Sequence, residues 1–252
     1  VEFGLGGAKD MLRWIQGSWN RKDDHRRNGQ ITYADFDMRA MFEHHFYEAL
    51  ITDTTFPTLD GLSKEGGYIK CKLQPARVVT KALGAPGPKI SSNVSPLQKM
   101  WTPAAFRLNI EGIDEMKYVN KIDSFTVTLD TKKLYSGAFR LPEIVPLKLK
   151  FPNITGTISF KYADKLLKWH QDYIRSQDGA GIKDSKAQKS GSIEFLSPDR
   201  KQTLLEIKLS EVGLVYVGAD PSKANEEQVK RLKFELYVHG MSIAGSSILG
   251  FV

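Results

Sequence analysis

Polar and apolar residues alternate most regularly late in the chain, where "RLKFELYVHGMSI" sets Leu232, Phe234, Leu236 and Val238 against Lys233, Glu235 and Tyr237. Successive side chains of a strand point to opposite faces, so this pattern predicts a strand with one face covered and the other wet. "AFRLNIEGI" reads the same way, with Phe106, Leu108 and Ile110 against Arg107, Asn109 and Glu111, as does "SFTVTLD", with Phe125, Val127 and Leu129 against Thr126 and Thr128. "LKLKF" and "TISF" predict two strands, or one bent strand, broken by Pro152. Leu205, Ile207 and Leu209 share one face of a hairpin closed by a Pro-Asp turn. Upstream, "GGYIKCKLQPARVV" places Tyr68, Lys70 and Lys72 on one face and Ile69, Cys71 and Leu73 on the other. Pro75 has no N–H to give a neighbouring strand and ends that ladder.

Helical spacing is rarer. In "ADKLLKWHQDYIRSQ", Leu166, Trp169 and Tyr173 recur on one face while Lys165, Lys168, Gln171, Asp172 and Arg175 cover the others, so these three are candidate core anchors. A short helix is predicted at "AKDMLRWIQ", inside an arm running from Val1 to Gln30. Between Asp35 and Leu50 the apolar Phe42, Phe46, Ala49 and Leu50 fit a helix capped by Asp35, yet the aromatic content fits a strand equally, and the pattern leaves both open. Gly, Pro and Ser concentrate from Ala82 to Pro96, which reads as an exposed loop or linker, and "ADPSKANEEQV" reads as a long loop. The fold class implied is α+β, mainly β: a β-sandwich or partly closed barrel with one packed helix. Residues 1–100 form an N-terminal extension, an arm plus strands packed on or exchanged with neighbours, and residues 101–252 form a β domain.

"MFEHHFYEALI" looks most like a chemical centre. Zinc ligands on one helix face need a spacing of three or four residues, whereas His44 and His45 are adjacent and point about 100° apart on a helix or to opposite faces of a strand. Pairing either with Glu48 gives one imidazole and one carboxylate, too few for a site, and no spacing motif joins His25, His170 and His239. "GLGGAKD" lacks the G-K-[ST] ending of a phosphate loop and there is no G-x-S-x-G. The single cysteine, Cys71, rules out an internal disulfide or a C-x-x-C motif and reads as an inert thiol in a strand. No catalytic, cofactor-binding or metal-ligating residue is therefore assigned. A metal-dependent hydrolase built on Glu43, His44, His45 and Glu48 is the catalytic alternative. A net charge of +7 and a pI near 9.3 bring nucleic acid into view, with Lys70, Lys72 and Lys233 on strand faces. The charge is dispersed, however, and the basic run "NRKDDHRRNG" carries two aspartates, so a nucleic-acid-binding β domain ranks as an alternative. No apolar run approaches the roughly 20 residues that cross a bilayer, so membrane insertion is not expected, and no signal peptide is read at the start.

Taken in order, four segments resemble the tail-tube proteins of contractile phage tails and related injection systems. "FRLNIEGID" is similar to the family's opening strand, "DKLLKWHQDYI" to its helix, "GSIEFLSPDRKQTLLEIKLSEVGLVYVGADPSKANEEQV" to its hairpin and crossing loop, and "KRLKFELYVHGMSI" to its final strand. Together they span roughly Trp101 to Ala244, and "ALITDTTFPTLDGLSKEGGYIKCKLQPARV" resembles an N-terminal part found in a longer branch. The resemblance implies a non-enzymatic structural subunit without cofactors that forms hexameric rings stacked around a central channel. The implied partners are further copies, sheath and baseplate proteins, and DNA or protein cargo in the lumen. The implied location is a virion or injection-particle tail tube assembled in the bacterial cytoplasm. The extension departs from the compact family pattern, so a tube-initiating or baseplate-end ring is an alternative to a repeated tube subunit. Tyr68, Ile69, Lys70, Cys71, Lys72 and Leu73 are the candidate intersubunit contacts, on a strand that could be added to a neighbour's sheet.

Overall fold

The computed structural model describes residues 1–20, 25–84, 87–91, 101–135, 137, 141–174, 188–219 and 231–244. In chain order these form β1 (Glu2–Phe3), α1 (Lys9–Asn20), β2 (Arg27–Ala34), β3 (Ala40–Phe56), β4 (Leu59–Asp60), β5 (Ile69–Gln74) and β6 (Arg77–Ala82). Then come β7 (Phe106–Ile110), β8 (Val119–Ile122), β9 (Phe125–Leu134), β10 (Glu143–Lys150), β11 (Ile154–Ser159), α2 (Asp164–Ile174), β12 (Lys189–Leu196), β13 (Thr203–Ala219) and β14 (Arg231–Ala244). The alternating segments are strands, as their patterns require, and the fold is α+β, mainly β.

The strands make two antiparallel sheets. One runs β4-β8-β11-β14-β13-β12-β7 and the other β1-β5-β3-β9-β10, with β2 and β6 flanking the first part of β3. The open reading of Asp35 to Leu50 resolves as strand: β3 is 17 residues long. Its first part pairs with β2 through Thr32↔Glu43 and with β6 through Glu43↔Lys81. Its second part pairs with β5 through Thr54↔Cys71 and with β9 through Phe56↔Phe125. Strands from both sides of residue 100 thus share both sheets, because β3 and β5 adjoin β9 while β4 adjoins β8.

Both long strands change which face they bury partway along. In β13 the buried apolar set passes from Leu205, Ile207 and Leu209 to Val212 and Leu214, and in β14 from Phe234, Leu236 and Val238 to Met241 and Ile243. Glu211 sits at the change with φ +50°, and the register between β12 and β13 shifts there. Glu48 plays the same part in β3, again with φ +50° and a register shift against β2. A non-glycine residue in the left-handed region costs of order 1–2 kcal/mol, and here it re-aims a long strand so that one ribbon serves two environments.

The inner faces of the two sheets meet in one core. Phe56 stacks on Phe125 at 4.9 Å between centroids and lies 5.6 Å from Phe195 and 6.1 Å from Trp19, which joins both sheets to α1. The first residues were read as an arm, but α1 buries Leu12, Ile15 and Trp19 one helical stripe deep and belongs to the core. Trp101 lies over Gly67, where any Cβ would collide with its ring, and edges onto Phe195 at 5.3 Å. Of the three anchors expected on α2, Leu166 and Trp169 are buried, whereas the side chain of Tyr173 lies outside the described residues. The loop "ADPSKANEEQV" falls almost wholly outside them as well. Trp169 is 7% exposed, so Trp169→Ala is expected to cost about 3–5 kcal/mol of stability, read from the urea midpoint of the purified chain.

Candidate functional site

β3 separates the two histidines. His44 Nδ1 lies 2.8 Å from Thr80 Oγ1, while His45 Nε2 lies 2.8 Å from Glu43 Oε2 on the opposite face. Glu48 is drawn away at the bend, its backbone N–H donating to Asn28 Oδ1 at 2.8 Å and its carboxylate 3.8 Å from Arg26. Among the described residues no group of three or more His, Cys, Asp or Glu side chains converges as a metal site.

The six residues singled out at Tyr68 and along β5 divide sharply. Ile69 and Cys71 are enclosed by the protein's own core and Leu73 packs against it, while Tyr68, Lys70 and Lys72 face solvent. Lys70 pairs with Glu2 at 2.9 Å, and β5 lies between β1 and β3, so its ladder partners belong to the same chain. Burial pushes the Cys71 thiol from its ordinary value near 9.0 up to about 11.

One exposed apolar surface leaves no pattern in the sequence. β2, the first half of β3, and β6 form a three-stranded wing, and every residue of β6 is exposed. Directly opposed residues share a face. The pairs Tyr33↔Phe42, Ile31↔His44 and Phe46↔Val78 therefore compose one face, rich in aromatic and aliphatic side chains. Tyr33 stacks on Phe42 at 4.4 Å, His44 meets both rings edge-on, and Phe46 lies over Gly29, where a Cβ would collide with it. The other face is polar around Glu43, His45 and Thr32, with Arg77 over the Tyr47 ring at 4.5 Å. Ile31 and Val78 are 47% and 53% exposed on the apolar face.

A second surface is the solvent side of β7, β12, β13 and β14. Asn109, Ser192, Lys208 and Ser242 lie in one cross-strand row, and Asn109 donates to Ser192 at 3.3 Å and to Glu194 at 3.0 Å. Hydroxyls and amides share this face with Arg107, Glu194, Glu206 and Lys208, and a shallow groove of about 860 Å³ crosses it beside Trp19 and Phe151.

No family model matches the chain, and no curated protein does. Among solved structures it is similar to the sheath-tube complex of an extracellular contractile injection system, PVC, with a TM-score of 0.43 and 15% identity over 55% of this chain and 88% of that one. It is also similar to the tube-terminating cap of the anti-feeding prophage, with a TM-score of 0.45 and 14% identity over 63% of this chain and 97% of that one. Hcp1 from Flavobacterium johnsoniae aligns with a TM-score of 0.32 and 17% identity over 56% of this chain and 96% of that one.

A folded state that holds the proton above the ordinary value contributes stability fully below about pH 9, and loses it as pH rises toward 11. Cys71 is therefore expected to resist a thiol reagent at pH 8 in the native protein and to react promptly in denaturant, as read by mass spectrometry.

Proposed function

We propose that this chain is a non-catalytic, self-assembling structural subunit whose copies close into rings around a channel and stack into the tube of a contractile injection particle or phage tail. The observation that carries the reading is the wing. A three-stranded sheet with an exposed aromatic and aliphatic face and, among the described residues, two outer edges without a strand partner is a liability for a lone protomer. Seated on a neighbour, the same surface gains apolar burial and backbone pairing. The ordered resemblance of residues from Trp101 to Ala244 to tail-tube segments supports the same reading. The polar face of β7, β12, β13 and β14, with charges of both signs, suits a hydrated channel wall facing DNA or protein cargo. Tyr68, exposed just before β5, and Lys70 and Lys72, exposed on it, contribute to contacts with neighbouring copies or with sheath and baseplate proteins.

Electron microscopy of the purified full chain tests the reading. Stacked rings are expected of a repeated tube subunit and single closed rings of a tube-end subunit; a monodisperse monomer at high concentration would refute both. Ile31→Asp combined with Val78→Asp changes two exposed positions and is expected to shift folding stability by no more than about 1 kcal/mol. The same pair is expected to weaken assembly at least tenfold in sedimentation velocity.

A further inference from the structure

The wing ends in an ordered turn that presents one ring to solvent. Asp35 N–H donates to the Arg39 carbonyl at 2.9 Å, Met38 N–H to the Asp35 carbonyl at 3.1 Å, and Arg39 N–H to Asp35 Oδ1 at 2.8 Å. Met38 takes φ +59° to close the turn, and Ile90 N–H fastens it by donating to the Met38 carbonyl at 2.7 Å. Held on this scaffold, Phe36 is 103% exposed between the two exposed carboxylates of Asp35 and Asp37. A large apolar side chain fixed outward on a preorganised turn gains nothing for its own fold, and costs little entropy when it docks.

The far end of the protein carries a pocket of complementary chemistry. A cavity of about 310 Å³ is lined by Leu62, Phe106, Tyr118, Lys117, Arg200 and Arg231, with Asp60 the one carboxylate among the described residues that line it. Lys117 Nζ lies 5.1 Å over the Tyr118 ring, and Arg200 Nη2 donates to the Ala104 carbonyl at 3.3 Å. Among the described residues none of the three cations enters an ion pair, and Asp60 is engaged by the Leu62 N–H at 3.0 Å. Leu62, 78% exposed on the rim, and the Tyr118 ring offer apolar surface beside that positive charge.

We propose that the wing tip of one copy docks in this pocket of a second copy, with Phe36 against Leu62, Phe106 and Tyr118 and the Asp35 and Asp37 carboxylates facing Lys117, Arg200 and Arg231. A single chain cannot make the contact with itself. β3 leads from the wing tip at Ala40 to Phe56, and β4 then delivers Asp60 to the pocket. At about 3.3 Å per residue the 17 residues of β3 have a contour of roughly 55 Å, bent at Glu48, and ladder partners on either side of the bend keep the tip and the pocket at its two ends. Each copy therefore offers one tip and one pocket at opposite ends, a head-to-tail contact that closes rings or propagates along a stack.

The proposal deepens the self-assembly reading and is separable from it. Asp37 rather than Asp35 is the position to change, because Asp35 also holds the turn. Sedimentation velocity at low and high salt compares the full chain with Phe36→Ser, Asp37→Arg and Arg231→Asp, and near-native melting checks that each variant folds. Expected are at least a tenfold loss of assembly in each variant alone, weaker assembly of the parent chain at high salt, and recovery when the Asp37→Arg and Arg231→Asp chains are mixed. In that mixture every tip finds a pocket of opposite charge. Assembly of the variants at parental strength, or a loss that mixing does not restore, would overturn this docking while leaving the structural role intact. A parent chain that never assembles would overturn the structural role itself.

Discussion

The structure depends on one strand that is paired first in the wing and then in the body. β3 has β2 and β6 as neighbours in the wing, then β5 and β9 in the body. It has strand neighbours on both sides at Phe42–Phe46 and again at Asp53–Thr55, so it passes from the core into the wing as part of a sheet. The bend at Glu48 marks the passage between the two settings. Beyond it the side chains turn inward, ending at Phe56, whose stack with Phe125 and approach to Phe195 and Trp19 ties the sheets and α1 together. The body thereby anchors the wing as a rigid projection.

A rigid projection has consequences a flexible arm would lack. Its aromatic face is held open and its turn is set before any partner arrives, so less entropy is lost on association than when a disordered segment folds on binding. The same rigidity keeps the wing tip away from the cationic pocket of its own chain. In the proposed assembly the exposed part of the wing's apolar face supplies burial between copies, and the charge of tip and pocket gives that association a direction.

Strand identities were readable wherever one face is buried and the other wet, as in β5, β7, β9 and β14, because burial imposes the period of two. β6 was not, since "RVVTKA" is exposed on both faces and no burial stamps a pattern on it. β2, "RNGQITYA", is mostly exposed too. β3 was ambiguous because Phe42, Phe46, Ala49 and Leu50 mimic helical spacing, and the bulge at Glu48 shifts the alternation by one residue between Phe46 and Ala49. The same slip at Glu211 hides the corner in β13. The apolar alternation of β5 told that Ile69 and Cys71 are covered but not by what, and their cover is the protein's own core. The wing's apolar face combines residues from three strands, and the cationic pocket gathers Leu62, Lys117, Arg200 and Arg231 from distant parts of the sequence. Surfaces of this kind arise only when register is known.

Amide hydrogen exchange on the full chain, followed along β3 in the dilute protein, tests the shared strand most directly. If one rigid strand serves wing and body, amides from Ala40 to Ala49 are protected in the lone protomer through their bonds to β2 and β6, and the outer edges of β2 and β6 slow further as concentration rises. Free exchange of Ala40 to Ala49 beside a protected Leu50 to Phe56 would contradict it, because the wing would then be a loose arm instead of an extension of the core.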